Sequence, residues 1–95
     1  MTTAIQKFLV LNKIGLHARP AAKFVKFASS LKQNKVWIEN ITRQTARVNA
    51  KSIIMVLSAS IQQNDEIQIT IEGPNSMAAM QEFADMFKTR FGEEE

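Results

Sequence analysis

The sequence predicts an α+β fold, an open-faced sandwich in which a four-stranded, mainly antiparallel sheet is covered on one face by three helices. Three observations predict it. Residues 66–72 alternate strictly and place Ile67, Ile69 and Ile71 on one face, which needs a helical layer to cover it. Residues 18–31 and the stretch after Ser76 repeat apolar residues at helical spacing. The elements follow one another as βαββαβα, without repeat or linker, and supply helices enough for one face only. Residues 1–95 then read as one small domain.

Residues 1–4 form a loose lead-in, and residues 5–11 a strand with Phe8 and Val10 on one face. Residues 12–15 turn the chain into a helix over residues 18–31. Pro20 fits a helix only within its first turn, where N–H groups have no intrahelical acceptor, so the helix begins near Ala18 and His17 takes the capping position. Gly15 supplies a backbone angle that a sharp turn from strand to helix often demands. Along the helix Ala18, Ala21, Ala22, Val25 and Ala28 form the apolar stripe, with Arg19, Lys23, Lys26 and Ser30 opposite. Phe24 and Leu31 widen the core face. Phe27 stands at the edge of the polar side, a candidate for core or for partner contact.

After a turn at residues 33–35, residues 36–39 make a strand with Val36 and Ile38 facing one way and Trp37 the other. A second short strand at residues 47–49 completes a hairpin whose loop is residues 40–46. The polar side chains of Thr42, Arg43 and Arg47 read there as simple solvation. Ser52 is placed to cap a short helix over residues 53–59, in which Ile53, Ile54, Met55 and Leu57 are unusually apolar for so small an element. They are either core or an exposed patch. Residues 62–65 are a polar turn. Residues 73–76 break the last strand and cap a final helix whose buried face is Met80, Phe83, Ala84, Phe87 and Phe91, with Gly92 ending it. Glu93, Glu94 and Glu95 read as a frayed, solvated tail.

The chemistry concentrates at residues 15–21, Gly-Leu-His-Ala-Arg-Pro-Ala, around the only histidine. A helix N-terminus offers free N–H donors and roughly half a positive charge to an anion. Here the backbone of Ala18 and Arg19 would supply the N–H groups, and the Arg19 guanidinium a planar fork suited to phosphate oxygens. An unperturbed imidazole titrates near pH 6.5 and is mostly the neutral nucleophile at neutral pH. His17 therefore reads either as a helix cap or as a nucleophile that takes a phosphoryl group into this cradle.

The same seven residues resemble the active-site motif of the histidine-containing phosphocarrier (HPr) family of the bacterial phosphoenolpyruvate:sugar phosphotransferase system. Val48-Asn49-Ala50-Lys51-Ser52-Ile53 resembles that family's second landmark, which surrounds its regulatory serine. The resemblance implies the βαββαβα fold, a phosphohistidine at His17 with Arg19 as phosphate clamp, and regulatory phosphorylation at Ser52. It implies that Ile53, Ile54 and Leu57 form an exposed docking patch; Phe27 and Lys26 are further candidates for partner contact. It implies a relay rather than an enzyme: enzyme I, charged from phosphoenolpyruvate, phosphorylates His17, which passes the group to IIA domains of sugar permeases. A serine kinase/phosphorylase and a transcription regulator are further partners it brings in. Two departures stand out, a 40–46 loop that is longer and lacks the usual glycine, and Met55, which enlarges or shifts the patch.

Composition agrees. With no cysteine and a single histidine, neither a disulfide framework nor a thiolate or histidine-rich metal site is available, and no cofactor is implied. No apolar run approaches a membrane span and no secretory signal precedes the first strand, so the expectation is a cytoplasmic monomer without membrane insertion. The net charge of +3 suits an acidic partner. An RNA-binding module of similar topology is disfavoured, because the strands lack interleaved aromatics for base stacking. A regulatory phosphoprotein of the same family, controlling other proteins through His17 or Ser52, remains the second reading.

Overall fold

Four strands and three helices alternate in the computed structural model, which describes residues 2–93. They are β1 (Thr3–Leu9), α1 (Ala18–Ser30), β2 (Lys35–Asn40), β3 (Val48–Asn49), α2 (Ile53–Ser58), β4 (Glu66–Glu72) and α3 (Ser76–Lys88), followed by a 3-10 turn at Arg90–Gly92. The sheet order is β1-β4-β2-β3, and every pairing is antiparallel. β4 lies between β1 and β2, with its three isoleucines fully buried: Ile71 sits opposite both Ala4 and Val36, and all three of these turn inward. On the other face Thr70 sits between Ile5 and Trp37, so the open side of the sheet is the side the helices leave uncovered.

The core is a phenylalanine cluster laid on the β4 isoleucines. Phe24 of α1 lies 5.1 Å from Phe83 of α3, and Phe8 stacks on Phe87 at 5.0 Å. Each such ring contributes about 1.5–3 kcal/mol by leaving water, which fixes both long helices to the sheet. That requirement rotates α1 away from the expected stripe. Pro20, Ala21, Phe24 and Ala28 are buried, whereas Ala18 and Ala22 are exposed and Val25 half-buried. A phenylalanine has far more surface to remove from water than an alanine, so Phe24 sets the helix face.

Several boundaries differ from expectation. β1 begins at Thr3 and ends at Leu9, two residues earlier than predicted at each end. At Val10 the chain instead bonds to the 62–65 turn, its N–H donating to Asp65 O and its carbonyl accepting from Asn64 N–H. Within residues 73–76 it is Asn75 that takes the cap position of α3, in a left-handed conformation without a side-chain cap bond. Ser76 is buried and shares a hydroxyl hydrogen bond with Thr2. Phe91 is buried but lies on the 3-10 turn, beyond the end of α3. Glu93 is half-buried, and Glu94 and Glu95 lie outside the described residues.

The 40–46 loop is not merely solvated. Arg43 Nε pairs with Asp65 Oδ2 at 2.9 Å, and the Arg47 guanidinium lies 4.4 Å from the centroid of the Trp37 ring. Nor is residues 62–65 just a polar turn, since Asp65 is buried. Burial pushes its carboxyl up, but hydrogen bonds from the Asn40 amide, the Gln62 N–H and the Arg43 guanidinium, with that cation's charge, outweigh it and hold Asp65 below the ordinary carboxylate range. A lowered folded pKa contributes stability above the unfolded value of 3.8, and the contribution is lost as pH falls through the folded value. Asp65→Asn is expected to cost about 2–4 kcal/mol at pH 7. Urea unfolding should show the gap to wild type closing as pH falls below 3.8 and through the lower folded value, where the protonated carboxyl is as neutral as the amide.

Candidate functional site

The turn before α1 is held from three sides. Gly15 adopts φ +66°, as predicted, and lies against the backbone of Ile61 and Gln62. Leu16 is fully buried, and its N–H donates to Ile61 O at 3.1 Å. Asn12, also buried, donates from Nδ2 to Gly15 O at 2.6 Å. With both preceding residues fixed, the chain reaches His17 extended, at φ −130° and ψ 163°.

His17 takes the cap position, but its side chain makes no cap hydrogen bond. The capping position is as expected, while the half-buried imidazole is not spent on the helix end. Ala18 follows at φ +48°, a left-handed angle that costs a residue with a Cβ about 1–2 kcal/mol. Strain of this kind persists where the surroundings over-determine the backbone. The first intrahelical bond runs from Ala21 N–H to His17 O. Pro20 has no N–H, and those of Ala18 and Arg19 find no backbone acceptor among the described residues. A left-handed residue leading into a helix brings successive N–H groups into an anion-binding concavity. No acidic residue lies in this first turn, and Arg19, Lys23 and Lys26 are exposed along the helix. The arrangement can hold a dianion beside an imidazole.

α2 lies beside α1 and runs back toward this turn. At one end Ser29 Oγ donates to Lys51 O; at the other Leu16 bonds to Ile61. Ser52 caps α2, its Oγ accepting from Met55 N–H at 3.3 Å. Of the apolar residues of α2 only Val56 is buried; Ile54 is 75 % exposed, and Ile53, Met55 and Leu57 about two-fifths. The core alternative for Ile53, Ile54 and Leu57 therefore falls, and Met55 extends the apolar surface. Leu11 and Ile14, in the turn before His17, add exposed apolar area that the sequence did not single out. Phe27 is not brought to this patch. It is half-buried on the α3 side of α1, its ring edge-on to Phe83 at 4.9 Å, and it borders a groove with Lys23 and Lys26.

Also unanticipated is the 61–65 turn as the part that grips Gly15 and Leu16. The Asn64-Asp65 pair marks a turn, but nothing local says what the turn touches. Among the described residues there is no cluster of His, Cys, Asp or Glu that could hold a metal, and no helix long and apolar enough to cross a membrane.

Residues 5–89 match the family described as PTS HPr component phosphorylation site. The chain is 40 % identical over 85 residues to the phosphocarrier protein HPr of Treponema pallidum, covering 90 % of this chain and 92 % of that one. It is 35 % identical over 88 residues to its counterpart in Xylella fastidiosa, covering 93 % and 94 % of the two chains. Among solved structures, HPr from Thermoanaerobacter tengcongensis superposes with a TM-score of 0.89 at 35 % identity, over 97 % of this chain and 99 % of that one.

Proposed function

Because the chain belongs to the HPr family of the phosphotransferase system, a family of phosphoryl carriers and not of enzymes, we propose that His17 is its phosphoryl acceptor, charged by phosphorylated enzyme I and discharged to IIA domains of sugar permeases. The observation that carries the reading is an imidazole at a helix N-terminus that makes no cap bond, followed by two N–H groups without a backbone acceptor. A ring nitrogen of His17 attacks phosphorus, the donor's bond to phosphorus breaks, and the N–H groups of Ala18 and Arg19 with the Arg19 guanidinium receive the equatorial oxygens. The reverse sequence delivers the group onward. Incubation with phosphoenolpyruvate and enzyme I, followed by mass spectrometry, should find one acid-labile phosphate on His17. A modified residue elsewhere, or none, overturns the reading.

Docking falls to Ile53, Ile54 and Leu57, with Lys26 and Phe27 offering a second contact across α1. The protein acts as a cytoplasmic monomer without nucleic acid or cofactor. Ile54→Asp is expected to raise the KM of enzyme I for this carrier about thirtyfold or more, the factor that 2 kcal/mol at a desolvated contact represents. Its melting temperature should move little, because Ile54 is largely exposed. Unfolding of the variant would return Ile54 to the core.

Ser52 is the proposed regulatory site, the target of a serine kinase/phosphorylase, and the phosphorylated form the signal to a transcription regulator. A phosphate there adds roughly two negative charges at a helix N-terminus that tolerates them, but beside a surface that must lose water on docking. Ser52→Asp should slow the initial rate of His17 phosphorylation while melting stays near wild type, since aspartate caps as well as serine. Equal rates for wild type, Ser52→Ala and Ser52→Asp would leave Ser52 a cap only.

A further inference from the structure

The long 40–46 loop has no part in the carrier chemistry so far, yet it is built with care. Asn40 and Thr45 close it: Thr45 N–H donates to Asn40 O, and Asn40 N–H to Thr45 Oγ1. Arg43 N–H donates to Asn40 Oδ1. The loop is fastened to the start of β4 as well, with Thr42 Oγ1 accepting from Glu66 N–H at 2.7 Å and Ile41 N–H donating to Glu66 O at 2.8 Å. Its arginine is thereby aimed, and Arg43 Nε meets Asp65 Oδ2 at 2.9 Å. The same oxygen accepts from Asn40 Nδ2 at 2.9 Å and from Gln62 N–H at 3.0 Å. Three donors converge on one buried, charged atom.

What Asp65 holds is the 62–65 turn, also closed by Asp65 N–H donating to Gln62 O. That turn grips the segment before His17 at both ends. Val10 exchanges hydrogen bonds with Asn64 and Asp65, and Leu16 N–H donates to Ile61 O while Gly15 lies against Ile61 and Gln62. From Arg43 through Asp65, Gln62, Ile61 and Leu16 to His17, each link is a hydrogen bond, a peptide bond or a backbone contact. We infer that Asp65 is a positioning residue for the phosphoryl acceptor and that the 40–46 loop, through Arg43, is the brace that keeps it in place.

The physical reason lies in how His17 is held. Its side chain makes no cap bond, so the ring's position depends on the backbone to either side: Pro20 and α1 after it, Leu16 on Ile61 before it. In-line transfer depends on alignment, and a misplacement of about 1 Å can cost about a hundredfold in rate. A carboxylate with charge-assisted bonds holds a turn more stiffly than a neutral side chain. An ion pair that served stability alone would leave the transfer step untouched.

The inference rests on His17 being the acceptor, and its test reads the brace separately. Wild type, Arg43→Ala, Arg43→Lys and Asp65→Asn are compared at a temperature where all four are folded. Amide exchange, which needs no partner protein, is followed at Leu16 relative to Ile69 in the sheet. The initial rate of His17 phosphorylation by phosphorylated enzyme I is measured across carrier concentrations. Arg43→Ala and Asp65→Asn should speed Leu16 exchange relative to Ile69 about fivefold, the factor one hydrogen bond represents. They should lower kcat about five- to tenfold with KM unchanged, and Arg43→Lys should recover part of both. Unchanged relative exchange overturns the brace, and faster exchange with an unchanged kcat overturns the positioning role. If wild type takes no phosphoryl group, the carrier reading falls and relative exchange alone still decides for or against the brace.

Discussion

His17→Ala should yield a folded protein that takes no phosphoryl group at all. No other side chain of the motif can replace the nucleophile: Arg19 is cationic, and Gly15, Leu16, Ala18, Pro20 and Ala21 carry no nucleophilic atom. Loss of a working cap usually costs about 0.5–2 kcal/mol, but the His17 side chain makes no cap bond, so the cost here should fall at or below the low end. Mass spectrometry after incubation with phosphoenolpyruvate and enzyme I reads the first half of the expectation, and thermal melting by circular dichroism the second. Normal phosphoryl uptake by the variant would sink the assignment of the acceptor.

Gly15→Ala should be the most damaging methyl group that can be added near the site. The residue adopts φ +66°, and a Cβ there would overlap Ile61 O and lie 2.7 Å from Gln62 Cα, both backbone atoms that cannot swing aside. The left-handed angle costs about 1–2 kcal/mol and the overlap adds to it, for a total of about 3 kcal/mol or more. For a domain of this size that lowers Tm by roughly 12–20 °C. Gly92 provides the control. Its φ is +80°, but the nearest atom to an added Cβ is Lys23 Nζ at 3.4 Å, the end of a flexible chain. Gly92→Ala should lose only about 1–2 kcal/mol. Comparable melting of the two variants would mean that the Gly15 approach to Ile61 is not the constraint described.

The parts of the fold legible in the sequence are those set by local rules. Alternation in residues 66–72 identified the strand that proves central, and Pro20 placed the start of α1 near Ala18, where it lies. The inward face of α1 was harder, because periodicity counts Ala22 and Phe24 alike while burial does not. The proposed acceptor site could be read for a similar reason: its candidate nucleophile, candidate clamp and helix start lie within seven consecutive residues. The exposed apolar surface of α2 needed the structure, since Ile54 in a helix of six residues has the same composition whether it faces core or solvent. Nothing local could reveal that Arg43 meets Asp65 or that Leu16 bonds to Ile61. Those pairs lie 22 and 45 positions apart, and polar loops have no periodicity from which their contacts could be read.

Trp37 gives the molecule an optical property of its own. The chain holds one tryptophan and no tyrosine. The indole sits on the open side of the sheet, half-buried, with the Arg47 guanidinium over its ring, while His17 and Ser52 belong to the helical layer on the opposite side. Fluorescence of this protein excited at the red edge of the protein band therefore comes from a single emitter whose surroundings are β2, β3, β4 and one cation. Its spectrum should shift when the sheet separates in denaturant. Unfolding of the purified protein can therefore be followed through one emitter placed on the face of the sheet away from the helices.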